Sequence, residues 1–97
     1  MDISELQRAV RRGIAKSKAP YRSGTEVVLA MTEELGEVAT EVALLEKVGS
    51  KAAWQKEPDV KRLAEEMTHL LNNTFALANH FGIDLAEVYR AKIGDSG

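Results

Sequence analysis

The sequence contains no cysteine, so disulfide bonds, thiolate nucleophiles and zinc sites built on sulfur are all excluded. Proline is scarce, with two residues in 97, and aromatic residues make up 5% of the chain. No apolar run approaches the length of a membrane span, and the N-terminus shows no basic region followed by an apolar core. We therefore expect a cytoplasmic protein that neither spans nor binds a membrane.

The composition is that of an ordinary globular protein with a preference for helix. Hydrophobic residues are 44% of the chain and charged residues 29%, and Ala, Leu, Glu and Lys are frequent. A chain of 97 residues can form one domain but only a modest core. We therefore predict a single domain over residues 1–97 that self-associates to a dimer or tetramer.

Positive charge is concentrated at the N-terminus. The net charge is −2, yet residues 1–24 carry six basic side chains against Asp2 and Glu5. A solvated helix face is the favoured interpretation, and phosphate-binding charge beside a ligand is the alternative. Nucleic acid is not an expected partner, because no aromatic residues are interleaved with the basic ones and the acidic remainder would repel phosphate.

The hydrophobic pattern predicts helices and no strands. Apolar residues recur at helical spacing, and turn residues separate the periodic stretches. Asp2 followed by Glu5 is typical of a capping box. The predicted helices cover about residues 3–18, 25–48, 59–81 and 84–93. This pattern predicts an all-α, four-helix bundle-like fold with two long antiparallel helices and shorter N- and C-terminal helices.

Each long helix is predicted to bury one apolar stripe. The two stripes are Val27, Met31, Leu35, Val38, Val42 and Leu45 on the second helix, and Val60, Leu63, Met67, Leu71, Ala78 and Phe81 on the third. Further apolar residues lie off these stripes, and they favour burial against a second copy of the chain: Val28, Leu44, Val48 and Phe75.

Two acidic clusters, Glu33-Glu34-x-x-Glu37 and Glu66-x-x-His69, are the main candidates for chemistry. Residues three apart are neighbours on one helix face, so the two clusters can meet between packed helices. Carboxylates at such a half-buried boundary are costly unless they are paired or bind metal. Glu34, Glu37, Glu66 and His69 are therefore predicted to bind a divalent cation.

Other interpretations remain open for single residues. His69 is either a metal ligand or a polar residue at an interface. Gly36, inside a helix, indicates either close approach of another group or a tolerated imperfection. A solvated position is expected for four other glutamates, Glu33, Glu41, Glu46 and Glu65.

The two clusters, with Leu35-Gly36-Glu37-Val38-Ala39 in the first and the stretch 78–85 after the second, resemble the MazG-like branch of the all-α nucleoside triphosphate pyrophosphohydrolases. The resemblance implies Mg²⁺-dependent cleavage between the α- and β-phosphates, in a dimer or a dimer of dimers. Mn²⁺ is expected to substitute for Mg²⁺, because His69 offers a nitrogen ligand. It also implies that Glu34, Glu37 and Glu66 bind metal. His69 stands where the family usually has aspartate, so activity with Mg²⁺ is expected to be weaker.

Residue type and position in the sequence indicate further roles. Glu37 and Glu34 are the candidate catalytic residues. Of the two, Glu37 is the candidate base. Asn73 and Trp54 are candidates for contact with the nucleoside. The candidates for binding the leaving pyrophosphate are Lys16, Lys18 and Arg22.

Two other functions fit the same residues. Glu-x-x-His facing a glutamate is also the ligand pattern of ferritin-like di-metal carboxylate proteins, although a single Glu-x-x-His would require two chains to share a site. The other alternative is a catalytically inactive, oligomeric nucleotide-binding module. Pyrophosphate release distinguishes the enzyme from both.

Overall fold

A computed structural model of the chain describes residues 2–15, 23–49 and 57–94. Within these ranges all regular secondary structure is α-helical. The helices are α1 (Ile3–Ala15), α2 (Gly24–Glu46), α3 (Val60–His80) and α4 (Leu85–Ile93). The all-α class is confirmed, and α2 ends two residues before the predicted position. The predicted end of the first helix, residues 16–18, lies outside the described residues.

Each described helix begins at a side chain that accepts a hydrogen bond from a backbone N–H of the first turn. Such caps satisfy N–H groups that have no partner within the helix. The Asp2 carboxylate accepts from the Glu5 N–H at 2.9 Å. The other three capping residues are Ser23, Asp59 and Asp84. The cap predicted at Asp2 is therefore present, and α3 and α4 each begin one residue after the predicted position.

Helices α2 and α3 pack against each other in opposite directions. Gly24, at the start of α2, lies against the Phe81 ring just after α3, and a Cβ added to Gly24 would lie 2.8 Å from that ring. Further along α2, Glu34 meets His69, and near its end Glu41 meets Arg62. Positions that rise along α2 thus meet positions that fall along α3, which makes the pair antiparallel.

The buried Gln7 side chain holds α1 against α3 and the start of α4. Its amide nitrogen donates to the Asn79 side-chain oxygen at 2.8 Å and to the Ile83 carbonyl at 2.7 Å. Its amide oxygen accepts from the Leu85 N–H at 3.2 Å, and Asn79 donates back to the Gln7 carbonyl. These bonds satisfy a side chain that is only 7% exposed, and they fix the N-terminal helix at the turn between α3 and α4.

The core differs from the predicted apolar stripes. Leu35 is 56% exposed and Met67 is 55% exposed, because α2 and α3 meet along their glutamate-bearing edges rather than along the centres of the stripes. Val60, Leu71 and Phe81 are also exposed. The buried apolar residues are Val27, Leu44, Phe75, Ala76, Ala78 and Ala86.

Several residue-level expectations change as a consequence. Leu44 and Phe75 are buried in the chain itself, so they are not surface for a second copy, whereas Val28 and Val48 are exposed. No described part of the chain lies within 4 Å of a Cβ added at Gly36, so no other segment of this chain is seen to approach it. Close approach of a ligand at Gly36 stays a prediction. None of the described helices has the length and apolarity that crossing a membrane requires.

Candidate metal site

Glu34 on α2 and Glu66 and His69 on α3 converge at the centre of the helix pair. One potential ligand atom from each residue lies within 4.8 Å of those of the other two. The His69 Nδ1 atom is 3.4 Å from Glu34 Oε2 and 3.6 Å from Glu66 Oε2. We call these three residues the Glu-Glu-His cluster. The clusters recognised in the sequence therefore supply side chains from two helices to one point.

The two carboxylates of this cluster have polar atoms that the protein leaves unsatisfied. The Oε2 atoms of Glu34 and Glu66 are buried, and neither accepts a hydrogen bond in the part of the chain that the structure describes. A buried carboxylate oxygen without a hydrogen bond is costly, and two of them close together also repel each other. A divalent cation would satisfy both oxygens at once, so the donor set fits a metal ion.

His69 is the most exposed member of the cluster. The His69 side chain is 54% exposed, whereas those of Glu34 and Glu66 are 25% and 18% exposed. Solvent and solutes can therefore reach the imidazole side of the cluster. Two oxygens and one nitrogen leave further coordination positions to water or to a ligand, as in catalytic metal sites.

The helical spacing explains how these side chains come together. Glu66 and His69 are three residues apart on α3 and so lie on the same face. Glu34 reaches them from α2 because the antiparallel packing brings the middle of α2 to the middle of α3. The cluster thus depends on one local spacing and one tertiary contact.

Glu37 and Asn73 lie near this cluster but outside it. Glu37 is exposed one turn after Glu34 on α2 and does not belong to the converging group. Asn73 is buried one turn after His69 on α3, with 9% of its surface exposed. The structure therefore brings together three of the four predicted ligands, and the exposed Glu37 lies outside that group.

The other predicted substrate contacts are three cationic side chains and a tryptophan. Lys16, Lys18, Arg22 and Trp54 lie outside the described residues.

A buried ion pair beside the cluster was missed in the sequence. Glu41 was expected to be solvated, but it is 5% exposed and its carboxylate lies 3.1 Å from the Nε atom of Arg62. Arg62 also reaches the Asp59 carboxylate at 3.4 Å and donates to the Glu57 carbonyl. Glu41 is seven residues from Glu34, a spacing that returns to the same helix face and could have indicated its burial. The Glu41–Arg62 pair bridges α2 and α3 about one turn from Glu66.

Comparison with known proteins yields no matching family model, no similar curated protein and no similar solved structure at a significant level.

Proposed function

We propose that the protein is a metal-dependent nucleoside triphosphate pyrophosphohydrolase that cleaves a ribo- or deoxyribonucleotide to its monophosphate and pyrophosphate, in a housecleaning role for the nucleotide pool. The observation that carries this proposal is the pair of buried, unsatisfied Glu34 and Glu66 oxygens beside His69. The resemblance of the two acidic clusters to the MazG-like enzymes connects this metal site to nucleotide hydrolysis.

In this proposal Glu34 and Glu66 hold Mg²⁺ or Mn²⁺ together with His69. When bound, the cation would supply positive charge that offsets the negative charge of the phosphate oxygens while the nucleotide is hydrolysed. Glu37, exposed one turn from Glu34, is the proposed fourth ligand and would accept the proton of the attacking water. The open imidazole side of the cluster is where the triphosphate enters.

The nucleoside and the pyrophosphate need further contacts in the same proposal. Asn73, buried one turn along α3 from His69, provides an amide for the nucleoside, and Trp54 provides a ring for stacking. The proposed contacts for pyrophosphate are the cationic side chains Lys16, Lys18 and Arg22.

The direct test is an assay of pyrophosphate release across a panel of canonical and modified nucleoside triphosphates, with Mg²⁺ and Mn²⁺ in parallel. We expect hydrolysis of at least one nucleotide, with monophosphate and pyrophosphate in equal amounts and no product after metal is removed. Nucleotide binding without pyrophosphate release would instead support the inactive module. Oxidation of Fe²⁺ without nucleotide hydrolysis would support the ferritin-like alternative.

The His69→Asp variant tests the role of the imidazole within this proposal. Carboxylate oxygen suits Mg²⁺, whereas imidazole nitrogen favours Mn²⁺ and other transition metals. We therefore expect His69→Asp to raise the ratio of Mg²⁺-supported to Mn²⁺-supported activity by about tenfold, which corresponds to about 1.4 kcal/mol. The ratio is measured by titrating both metals against the parent and the variant. An unchanged ratio would show that His69 is not a ligand.

We also propose that two copies of the chain associate through one side of the α2–α3 pair. Leu35 follows Glu34 and Met67 follows Glu66, so each lies about 100° around its helix from a cluster glutamate. In an antiparallel pair these equal rotations lead to the same side. Val28 and Leu71 extend the exposed apolar surface there.

The dimensions of the chain support this association. Its radius of gyration is 16.0 Å, compared with about 13 Å for a compact domain of this length. An open helix arrangement with an exposed apolar side is completed when a second copy covers that side.

Light scattering at micromolar concentration is expected to give a dimer or tetramer. Leu35→Glu should yield monomer, because it places a charge in the proposed interface. Leu29→Glu is the matched control, since Leu29 is also exposed but lies on another side of α2. A monomeric parent protein would refute the association.

A further inference from the structure

A cavity of about 270 Å³ lies between α1 and the turn from α3 to α4, away from the Glu-Glu-His cluster. Gly82 lies thirteen positions after His69, which corresponds to about 20 Å along a helix. The cavity is lined by Ser4, Gln7, Arg8 and Arg11 of α1 and by residues 82–84 of the turn. A ligand in this cavity would therefore not be the group bound at the proposed metal site.

The described lining residues of the cavity carry a net positive charge. Neither Arg8 nor Arg11 forms an ion pair within 4.0 Å among the described residues. Arg11 donates one hydrogen bond, at 3.3 Å, to the neutral side chain of Asn79. Asp84 is the one carboxylate among the described lining residues, and one of its oxygens accepts from the Glu87 N–H. Two arginines against one aspartate give these lining residues a formal charge of +1.

The walls of the cavity are held in place before any ligand arrives. Gln7 binds Asn79, Ile83 and Leu85 through its side chain, so the part of α1 that carries the arginines is fixed relative to the turn. Arg8 and Arg11 are three residues apart and lie one turn apart on α1. Ser4, one turn before Arg8, adds a hydroxyl to the same wall. A wall whose backbone is fixed in this way loses less conformational freedom on binding.

We propose that this cavity binds a small phosphate-bearing anion, separately from the proposed hydrolytic site. Guanidinium groups match the oxygens of phosphate through paired N–H donors, and a hydroxyl can donate a further bond. Net positive charge favours an anion over a neutral ligand, and the volume admits phosphate or a small phosphate monoester. The site goes beyond the proposed function and does not depend on it.

The test is a titration followed by ¹H–¹⁵N NMR, on the full chain with divalent metal removed by a chelating resin. Inorganic phosphate is added at constant ionic strength, with chloride as the reference anion. We expect saturable shifts concentrated at the amides of residues 4–11 and 82–87. Glycerol phosphate in a second titration shows whether the site prefers free or esterified phosphate, and saturable binding of either supports the proposal.

Variants of the arginines make the test specific. Arg8→Gln and Arg11→Gln should each weaken phosphate binding by about tenfold or more, because each removes charged hydrogen-bond donors. Arg12→Gln is the matched control, since Arg12 is an exposed arginine of the same helix that does not line the cavity. This variant should change the dissociation constant for phosphate less than about twofold. Both cavity arginines are exposed, so the variants should fold, as circular dichroism would verify.

Two results would overturn the proposal. Shifts spread over all basic residues, or absent with both phosphates, would show that the cavity has no anion site. Equal weakening by Arg12→Gln and Arg8→Gln would show general attraction to a cationic helix. Because metal is absent throughout, either result would leave the proposed hydrolase activity untouched.

Discussion

Glu66→Gln is expected to abolish metal-dependent hydrolysis and, in the absence of metal, to stabilise the protein. Without metal, the Glu34 and Glu66 carboxylates lie close together, each with a buried oxygen that accepts no hydrogen bond from the described residues. A glutamine at position 66 removes one negative charge and can donate to Glu34. We expect the free energy of unfolding to rise by about 1 kcal/mol.

The same substitution should reverse the order of stability when metal is present. A cation at 100 times its dissociation constant stabilises the parent protein by about 2.7 kcal/mol. Glu66→Gln should lose most of this gain and reduce nucleotide hydrolysis by about 100-fold or more. Urea denaturation with and without Mn²⁺, together with the pyrophosphate assay, measures both effects.

Glu65→Gln is the matched control for this prediction. Glu65 is the neighbouring residue on α3, carries the same charge and is exposed. It should change neither the metal-dependent gain in stability nor the activity. If Glu66→Gln lowers the stability of the metal-free protein and leaves the effect of Mn²⁺ unchanged, the Glu-Glu-His cluster does not bind metal.

Arg62→Met is expected to lower the free energy of unfolding by about 3 kcal/mol, the largest stability change that we predict. The Glu41 side chain is 6% exposed, and Arg62 is its cationic partner at 3.1 Å. Removing one partner of a buried pair leaves the other charge buried and uncompensated, which costs about 3–5 kcal/mol. The lower end applies because 28% of the Arg62 side chain is exposed.

Replacing both partners together should recover much of the loss. Arg62→Met combined with Glu41→Leu buries apolar groups of similar size and leaves no isolated charge, so its stability should approach that of the parent. Lys61→Met, at the adjacent exposed position, controls for the loss of a surface cation and should change stability by less than about 0.5 kcal/mol. Urea midpoints compare all four proteins. Equal stability of Arg62→Met and Lys61→Met would mean that the pair contributes nothing.

The secondary structure of this protein is determined largely by local sequence. Asp2, Asp59 and Asp84 cap helices that begin within one residue of their predicted starts, because a capping carboxylate acts on N–H groups only two or three residues away. Gly82, with φ of +67°, follows the end of α3 for a reason that is equally local.

Part of the candidate site could also be anticipated from spacing. Glu66 and His69 share a helix face whatever the tertiary structure. Their meeting with Glu34 required only that two long helices pack antiparallel, which a short connection favours. The spacing of three residues puts Glu34 and Glu37 on one side of α2, but it does not say which of them faces α3. The position of Glu37 outside the cluster therefore could not be derived from the sequence.

Tertiary structure decided how each helix is rotated about its own axis. The hydrophobic pattern placed Leu35 and Met67 in the core and Glu41 in solvent, and the packed helices do the reverse. A helical wheel gives the angles between the side chains of one helix but not the direction in which the neighbouring helix lies. The apolar stripe and the glutamates along its edge are less than a quarter turn apart. Partners distant in sequence settle that direction. Arg62 makes the burial of Glu41 tolerable, and Gln7 joins α1 to Asn79, 72 residues away.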